Sequence, residues 1–471
     1  MTHFINEPEN SVTEAIDGLI AASGGKLARL DGYPHIRVVI RSDWDKSRVA
    51  LISGGGSGHE PAHAGFVGAG MLTAAVCGDV FASPSVEAVL AAILAVAGPD
   101  GCLLIVKNYT GDRLNFGLAA ARARSLGRKV EMVIVGDDIA LPYLSQPRGV
   151  AGTLFVHKIT GALAREGADL ATIAKAARRV AEGTKSFGMS LDTCVVPGSP
   201  KEDRIPSGMI ELGLGIHGEP GVKQADFKNA RTALAAVCVR LTEAMNDRPH
   251  VALVNNLGGT SNLEMSVIVH ELIQSHLGDK ITHIVGPATM MGSLGMHGVS
   301  ISTYPAKPRE LELLVEPVSP YAWPGVFSIA PVATVPLPSG LEPMNFSASA
   351  NPLLSDMLAA CCKSLIAARM ELNALDAKSG DGDTGSTVAK AAETLLVASE
   401  RLPFAEPSKL CQALAQILGQ AMGGSSGILL SIYFAATGNA LARGCPTIEA
   451  LKLGLAEIVK IGGAKPGDRT M

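Results

Sequence analysis

Short apolar runs alternate with helical patterns between about residue 35 and residue 310 of this 471-residue chain. The runs at 48–52, 102–106, 130–135 and 251–254 have the length and β-branched composition of buried strands. Each run meets Gly, Asn or Asp at its end. This alternation predicts an α/β fold, and ligands in open α/β sheets bind where strands end.

The pattern changes along the chain in a way that predicts several domains, as its length also requires. The segments VALISGGGSG from Val49 and VALVNNLGGT from Val251 resemble one another, which indicates two α/β lobes, at 1–185 and 186–332. A proline-rich stretch at 333–350 is typical of a linker. Residues 351–471 show helical patterns only, at 355–376, 388–399, 409–422, 428–441 and 447–461, so this third domain is predicted to be all-α.

The composition excludes several classes of protein. A net charge of -4 and an aromatic content of 4% disfavour nucleic-acid binding. The sequence has neither an apolar run long enough for a membrane span nor a secretory signal, so we expect a cytoplasmic protein. The eight cysteines have no CxxC spacing and are interpreted as buried thiols rather than zinc ligands or disulfides.

The segment LDAKSGDGDTGST at 375–387 gathers three carboxylates on a glycine-rich loop. Asp376, Asp381 and Asp383 cannot share one face of a continuous helix at about 100° per residue, so a turn must bring them together. Carboxylates that cluster require a cation, and an all-oxygen ligand set is typical of Mg²⁺. An ordinary solvated turn is the alternative; an EF-hand is excluded because Gly385 occupies a ligand position.

Hydroxyl-bearing residues continue this loop into the next predicted helix. Thr384, Ser386 and Thr387 stand where backbone N–H groups at a helix N-terminus bind anions. The segment GGSSG at 423–427 also leads into a helix. A magnesium–nucleoside triphosphate accounts for both loops.

The strand ending at Ile52 is followed by SGGGSGHEP, in which glycines allow the backbone to approach a small ligand. His59 is a titratable group at this strand exit, with a structural histidine as the alternative interpretation. Lys107 and Asp112 follow the next strand and are candidates to bind and deprotonate a hydroxyl group.

A literal GxGxxG occurs at 213–218, but a dinucleotide site is disfavoured because we predict neither a strand before it nor a helix after it. The same loop presents His217 between small residues. A neutral imidazole is available near pH 7 and can add to a carbonyl carbon as a covalent anchor.

These segments together resemble the dihydroxyacetone kinase family. The resemblance is carried by SGGGSGHEPAHAGF, CGDVFASPS, KNYTGDRLNFG, GIHGEPG and VNNLGG for the ketose-binding part, and by LDAKSGDGDTGST and GGSSG for the nucleotide-binding part. It covers residues from about 10 to 471 and is similar to the single-chain, ATP-dependent form. It implies a two-lobed α/β part followed by an α-helical barrel that binds ATP and Mg²⁺, in a homodimer. It also implies further helices and a second glycine-rich segment after residue 471.

The resemblance implies roles for individual residues. His217 forms a hemiaminal with the ketone, and Asp112 and His59 assist deprotonation of the attacking hydroxyl. The implied substrate-binding residues are Gly56, Ser57, Gly58, His59, Lys107 and Asp112. The implied metal ligands are Asp376, Asp381 and Asp383, and the implied nucleotide-binding residues are Thr384, Gly385, Ser386, Thr387, Ser425, Ser426 and Gly462.

The expected reaction is therefore the ATP-dependent phosphorylation of dihydroxyacetone, with glyceraldehyde as a second substrate. The alternatives are a kinase for a four-carbon ketose such as erythrulose, a lyase that releases a cyclic flavin phosphate from FAD, and a ketose-binding protein without catalysis.

Overall fold

The computed structural model describes residues 3–32, 34–141, 146–339, 341, 344–378 and 380–463, without the side chains of 424–426. The chain divides into two compact units, 1–331 and 332–471. Each unit has its own hydrophobic core. None of the helices in these ranges is both long enough and apolar enough to cross a bilayer.

The first sheet of the α/β unit has the strand order β1-β2-β4-β3-β5-β6 in the described part of the chain. The strands are β1 (Leu27–Arg29), β2 (Val38–Arg41), β3 (Ala50–Ser57), β4 (Ala74–Val80), β5 (Cys102–Lys107) and β6 (Val130–Val135). Strand β3 pairs in parallel with β4 and with β5, and β5 pairs in parallel with β6. The predicted strands at 48–52, 102–106 and 130–135 correspond to β3, β5 and β6, whose carboxyl ends therefore share one sheet edge.

Helices cover this sheet on both faces: α1 (Ser11–Ala21), α2 (Val86–Val96), α3 (Thr110–Ser125), α4 (Thr153–Glu166) and α5 (Leu170–Gly183). One buried cluster lies between the sheet and α2 and α3. A second cluster contains side chains from α4 and α5 and from both sheets, including Leu51, Leu103 and Leu253. The two sheets therefore share a continuous core.

The second sheet has the order β13-β11-β10-β12-β7-β8-β9 among the described residues. Its strands are β7 (Lys185–Ser190), β8 (Met209–Leu212), β9 (Lys223–Asp226), β10 (His250–Asn256), β11 (Ile281–Ala288), β12 (Gly298–Tyr304) and β13 (Val326–Ser328), with helices α6 (Ala230–Ala244), α7 (Asn262–Ile273) and α8 (Pro308–Val315). The pairing is antiparallel except between β10 and β11. Because β7 begins at Lys185, the lobe boundary predicted after residue 185 falls inside a strand.

The second unit is helical: α9 (Pro352–Ala367), α10 (Arg369–Asp376), α11 (Thr384–Ala398), α12 (Pro407–Ala421), α13 (Gly424–Ala442) and α14 (Thr447–Gly462). The prediction of an all-α unit is confirmed. The single helix predicted at 355–376 is wrong, because the chain turns at Ala368, where ψ is 2°, and α9 and α10 both pack against α11. The described residues of 332–350 form neither helix nor strand.

Candidate functional site

The first candidate site lies at the glycine-rich carboxyl end of β3 and in the loop that follows it. Gly55 has φ +154°, and a Cβ atom there would lie 3.3 Å from Nζ of Lys107 and 3.5 Å from Oδ2 of Asp112. The missing side chain therefore lets the Lys107 ammonium and Asp112 carboxylate groups approach the end of β3. β5 carries Lys107 as its last residue, and Asp112 lies in the first turn of α3.

His59 follows this loop and is completely buried. Its Nδ1 atom lies 2.9 Å from the carbonyl oxygen of Gly292, so Nδ1–H donates to that oxygen and Nε2 carries the lone pair. Burial lowers the pKa of His59 well below its usual value, and the charges of Lys107 and His217 lower it further. A neutral imidazole with a free Nε2 is suited to accept a proton.

His217 lies in the turn between β8 and β9. Three rings surround its imidazole, with centroids at 4.7 Å for His59, 5.2 Å for Phe81 and 4.5 Å for Tyr109. Its Nδ1 atom lies 3.2 Å from Oε1 of Glu219, whose Oε2 accepts the backbone N–H of His217. This pairing places the ring proton on Nδ1 and leaves the lone pair of His217 on Nε2. The expectation that no strand precedes GxGxxG is wrong, because β8 ends at Leu212, but a hairpin follows and not a helix.

The carboxylate of Glu219 remains ionised beside His217. Burial alone would raise its pKa, but the hydrogen bonds and the electrostatic interaction with His217 outweigh burial and hold the pKa of Glu219 at about 2. A permanent negative charge at this position stabilises positive charge on the imidazole ring. Glu219 is not among the site residues predicted from the sequence, although it lies only two positions beyond His217.

Buried polar atoms without a hydrogen-bond partner converge near these two histidines. Within the described residues they include Nε2 of His59, Nζ of Lys107, the hydroxyl of Tyr109 and Oδ1 of Asp112. Burial lowers the pKa of Lys107, an effect that Asp112 and Glu219 partly offset. Because unpartnered buried polar groups are costly, a small polyhydroxylated ligand that bonds to them would repay part of that cost. Tyr109 was not predicted; it lies within the KNYTGD segment.

The remaining predicted substrate residues lie in the same loop but have different surroundings. The hydroxyl of Ser57 donates to the carbonyl oxygen of Gly78. Gly56 and Gly58 pack against Phe81. A neighbouring cavity of about 450 Å³ is lined by Gly56, Ser57 and His63 but not by His217 or Asp112.

The second candidate site is the carboxylate loop of the helical unit. Ligand atoms of Asp376, Asp381 and Asp383 lie within 4.8 Å of one another. The negative charge of Asp381 raises the pKa of Asp383, as expected for carboxylates crowded without a counterion. The donor set therefore fits a hard divalent cation.

Asp376 also organises the loop. Its Oδ2 atom accepts backbone N–H groups from Gly382, Asp383 and Thr384 at 3.0, 3.1 and 3.3 Å. These hydrogen bonds, led by that of Thr384, lower the pKa of Asp376. The carboxylate thus closes the turn that begins α11.

The predicted nucleotide residues are distributed over two places. Thr384, Gly385, Ser386 and Thr387 form the first turn of α11. Asn373, which sequence reasoning missed, accepts the N–H of Ser386 and donates to its hydroxyl. Gly385 is buried against the carbonyl oxygen of Arg369, so it serves close packing of α10 and α11. Gly462 ends α14 beside Leu429 of α13, and the side chains of Ser425 and Ser426 lie outside the described residues.

Clustered carboxylates that can hold Mg²⁺ next to a helix N-terminus that can bind phosphate are features of phosphotransferases, and the helical unit has both. Residues 17–322 match the Dak1 domain and residues 378–471 match the DAK2 domain. The chain is 47% identical to a dihydroxyacetone kinase of Citrobacter freundii, over 99% of this chain and 86% of the relative. It is 40% identical to the human triokinase/FMN cyclase, over 99% and 85% of the two chains.

A solved structure gives the same result. The crystal structure of the C. freundii dihydroxyacetone kinase in complex with AMP-PNP and Mg²⁺ superimposes with a TM-score of 0.80 at 46% identity, covering 100% of this chain and 88% of that one. The chain therefore belongs to the dihydroxyacetone kinase family. The predicted family and the predicted division into α/β and helical parts are confirmed.

Proposed function

We propose that this chain transfers the γ-phosphoryl group of ATP to a terminal hydroxyl of dihydroxyacetone, with the ketone held on His217. The supporting observation is the convergence of buried, unpartnered polar atoms from His59, Lys107, Tyr109 and Asp112 around the loop that faces His217. The C. freundii relative carries the name of the same activity. The product is dihydroxyacetone phosphate.

His217 anchors the substrate. Because Nδ1–H is engaged by Glu219, Nε2 attacks the carbonyl carbon, and the C–N bond forms as the carbonyl π bond breaks. The oxygen then takes up a proton from solvent, which leaves a cationic ring paired with the Glu219 carboxylate. The carboxylate of Glu219 balances the charge that develops on the ring. Glycerol offers similar hydroxyls but has no carbonyl group, so the anchor selects against it.

His59 and Asp112 prepare the attacking hydroxyl. His59 keeps its proton on Nδ1 through Gly292, and its free Nε2 accepts the proton of the hydroxyl. Asp112 and Lys107 orient the remaining oxygens through their unpartnered atoms.

The helical unit binds the nucleotide. Asp376, Asp381 and Asp383 hold Mg²⁺, which neutralises the charge of the triphosphate when bound. The first turn of α11 supplies backbone N–H groups and the hydroxyls of Thr384 and Thr387 for phosphate oxygens.

A variant test separates the kinase from a ketose-binding protein. His217→Ala is expected to lose the mass adduct formed with dihydroxyacetone and to lower kcat/KM, whereas the exposed His276→Ala keeps both. Retained activity in His217→Ala would rule out the covalent anchor. Dihydroxyacetone binding without phosphate transfer in the parent chain would instead support the binding protein.

Two further substrates are proposed because the human relative is named triokinase/FMN cyclase. We expect phosphorylation of glyceraldehyde, measured by kcat/KM beside dihydroxyacetone and erythrulose. Release of a cyclic flavin phosphate from FAD in the presence of Mn²⁺ tests the lyase activity.

We also propose a homodimer located in the cytoplasm. All the cysteines lie within the described residues and none forms a disulfide, which agrees with a reducing compartment. Analytical ultracentrifugation tests the dimer, and a monomer at micromolar concentration would contradict it.

A further inference from the structure

Phe81 has a backbone conformation that bulky residues rarely adopt. It follows β4, and its φ angle is 56°. This left-handed region favours glycine because a Cβ atom crowds the backbone there. Among the described non-glycine residues, positive φ occurs at Lys46, Phe81 and Leu294. Two of these, Phe81 and Leu294, lie beside Gly58 in the loop after β3, here called the substrate loop. Strained residues commonly cluster at functional sites.

The ring of Phe81 lies against both histidines of the site. It stacks on His59 with centroids 5.1 Å apart and planes 22° apart, and it meets His217 edge-on at 5.2 Å and 88°. Phe81 is partly exposed, whereas His59 is fully buried. The Phe81 ring therefore covers one face of His59 and also contacts His217. These contacts constrain the angle between the two imidazole rings.

The fold of the backbone does not itself require a phenylalanine. The backbone N–H of residue 81 donates to the carbonyl oxygen of Ser57, a bond that glycine would also make. A Cβ atom on Gly58 would lie 2.8 Å from the Phe81 ring, so the substrate loop leaves space for that ring. Glycine at position 81 would remove the backbone strain. What phenylalanine adds, in spite of that strain, is the contact of its ring with the two histidines.

We propose that Phe81 is a positioning residue whose ring sets the relative orientation of His59 and His217 and keeps water away from His59. This inference rests on the proposed roles of those histidines. In this role Phe81 acts through the two histidines and does not contact the substrate. The aromatic plane, not merely its apolar character, is what the site requires.

Three variants test the proposal: Phe81→Gly, Phe81→Leu and Phe81→Tyr. In Phe81→Gly and Phe81→Leu we expect kcat/KM for dihydroxyacetone to fall about 10- to 100-fold, because small displacements of reacting groups cost that much. Phe81→Tyr keeps the ring and is expected to stay within about threefold of the parent. The KM for ATP is expected to stay unchanged in all three.

The pH profile distinguishes positioning from simple structural damage. Burial lowers the pKa of His59, and Lys107 and His217 lower it further. His63 also interacts with His59, and Glu60 follows His59 in the chain. Exposing one face of His59 removes part of the burial effect and leaves the other groups in place. The acid limb of kcat/KM is therefore expected to move upward, toward pH 6.5, in Phe81→Gly.

The outcomes separate this inference from the proposed function. If His217→Ala is inactive but Phe81→Gly matches the parent in both kcat/KM and acid limb, the positioning role is overturned. If circular dichroism shows that Phe81→Gly does not fold, Phe81→Leu and Phe81→Tyr are compared instead. Equal kcat/KM of these two variants also overturns the positioning role. Full activity of His217→Ala would contradict the proposed function instead.

Discussion

The Nδ1 atom of His59 lies 2.9 Å from the carbonyl oxygen of Gly292, so a loop of the first sheet is tied to a loop of the second. This bond fixes the tautomer of His59 and directs Nε2 away from Gly292. The two loops follow the ends of β3 and β11, so the pairing of strands in both sheets determines the orientation of His59.

The pH dependence of catalysis is the first prediction. Because burial lowers the pKa of His59 well below 6.5, His59 remains neutral and able to accept a proton as the pH falls through that value. The acid limb of kcat/KM for dihydroxyacetone is expected below pH 6.5, measured at saturating Mg·ATP. His59→Gln is expected to lose this limb along with most activity. A limb at or above pH 6.5 that His59→Gln leaves in place would contradict the assignment.

A second prediction concerns Glu219. Glu219→Gln removes the negative charge beside His217 and allows the amide to donate to Nδ1, which favours the wrong tautomer. We expect kcat/KM for dihydroxyacetone to fall on the order of 100-fold, with the fraction of chain carrying the ketone adduct reduced in the mass spectrum.

A matched control for that change is Glu243→Gln, which alters an exposed glutamate of α6 paired with Arg240. It is expected to leave both measurements unchanged. If Glu219→Gln keeps the full adduct yield, the carboxylate does not set the tautomer of His217.

The sequence predicted features that depend on neighbouring residues better than features that depend on distant ones. The exits of β3 and β5 and the carboxylate loop were predictable because strand, glycine and polar residue lie within a few positions. β8 and β9 escaped detection because they are only four residues long, and KQAD of β9 is a polar, largely exposed strand. The break at Ala368 has neither glycine nor proline to mark it.

The site geometry was less predictable than the site residues. The ring contacts of His217 with Phe81 and Tyr109 join three separate segments, and their formation depends on the pairing of both sheets. Asn373 was missed for a similar reason, since its hydrogen bonds to Ser386 exist only once α10 and α11 are packed. The roles of the predicted site residues themselves stay predictions.

A third prediction concerns the carboxylate loop, in which Asp376 is expected to have a different role from Asp381 and Asp383. Asp381→Asn and Asp383→Asn remove charge but leave the turn intact, so we expect about a tenfold or greater loss of apparent Mg²⁺ affinity with unchanged helicity. Asp376→Asn instead weakens the acceptor of three backbone N–H groups and is expected to lower the thermal stability of the helical unit as well.

Isothermal titration of Mg²⁺ in the presence of a non-hydrolysable ATP analogue, followed by circular dichroism, measures both effects. Asp356→Asn, at an exposed position of α9, serves as the control for a lost negative charge. Equal behaviour of Asp376→Asn and Asp381→Asn in both measurements would show that Asp376 has no separate role in the turn.

The last prediction concerns acid stability of the α/β unit. His59, His63 and His157 are buried, and burial is the main cause that lowers the pKa of each, to about 3 for His157. The folded unit keeps these rings neutral, whereas the unfolded chain takes up protons below about pH 6.5. Their contribution to stability is therefore complete above that pH and is lost as the pH falls below it, at about 1.4 kcal/mol per group and pH unit.

Tryptophan fluorescence isolates this effect, because Trp44 and Trp323 both lie in the α/β unit. Urea unfolding followed between pH 7.5 and pH 5.0 is expected to show a free energy of unfolding that falls as the pH drops below about 6.5, by at most about 1.4 kcal/mol per pH unit for each of these groups. The double variant His63→Leu with His157→Leu removes the pair joined by a 3.0 Å contact and should make the free energy of unfolding less dependent on pH. His276→Leu, at an exposed histidine, should leave this pH dependence unchanged; if the double variant does the same, the buried pair does not control the acid sensitivity of this unit.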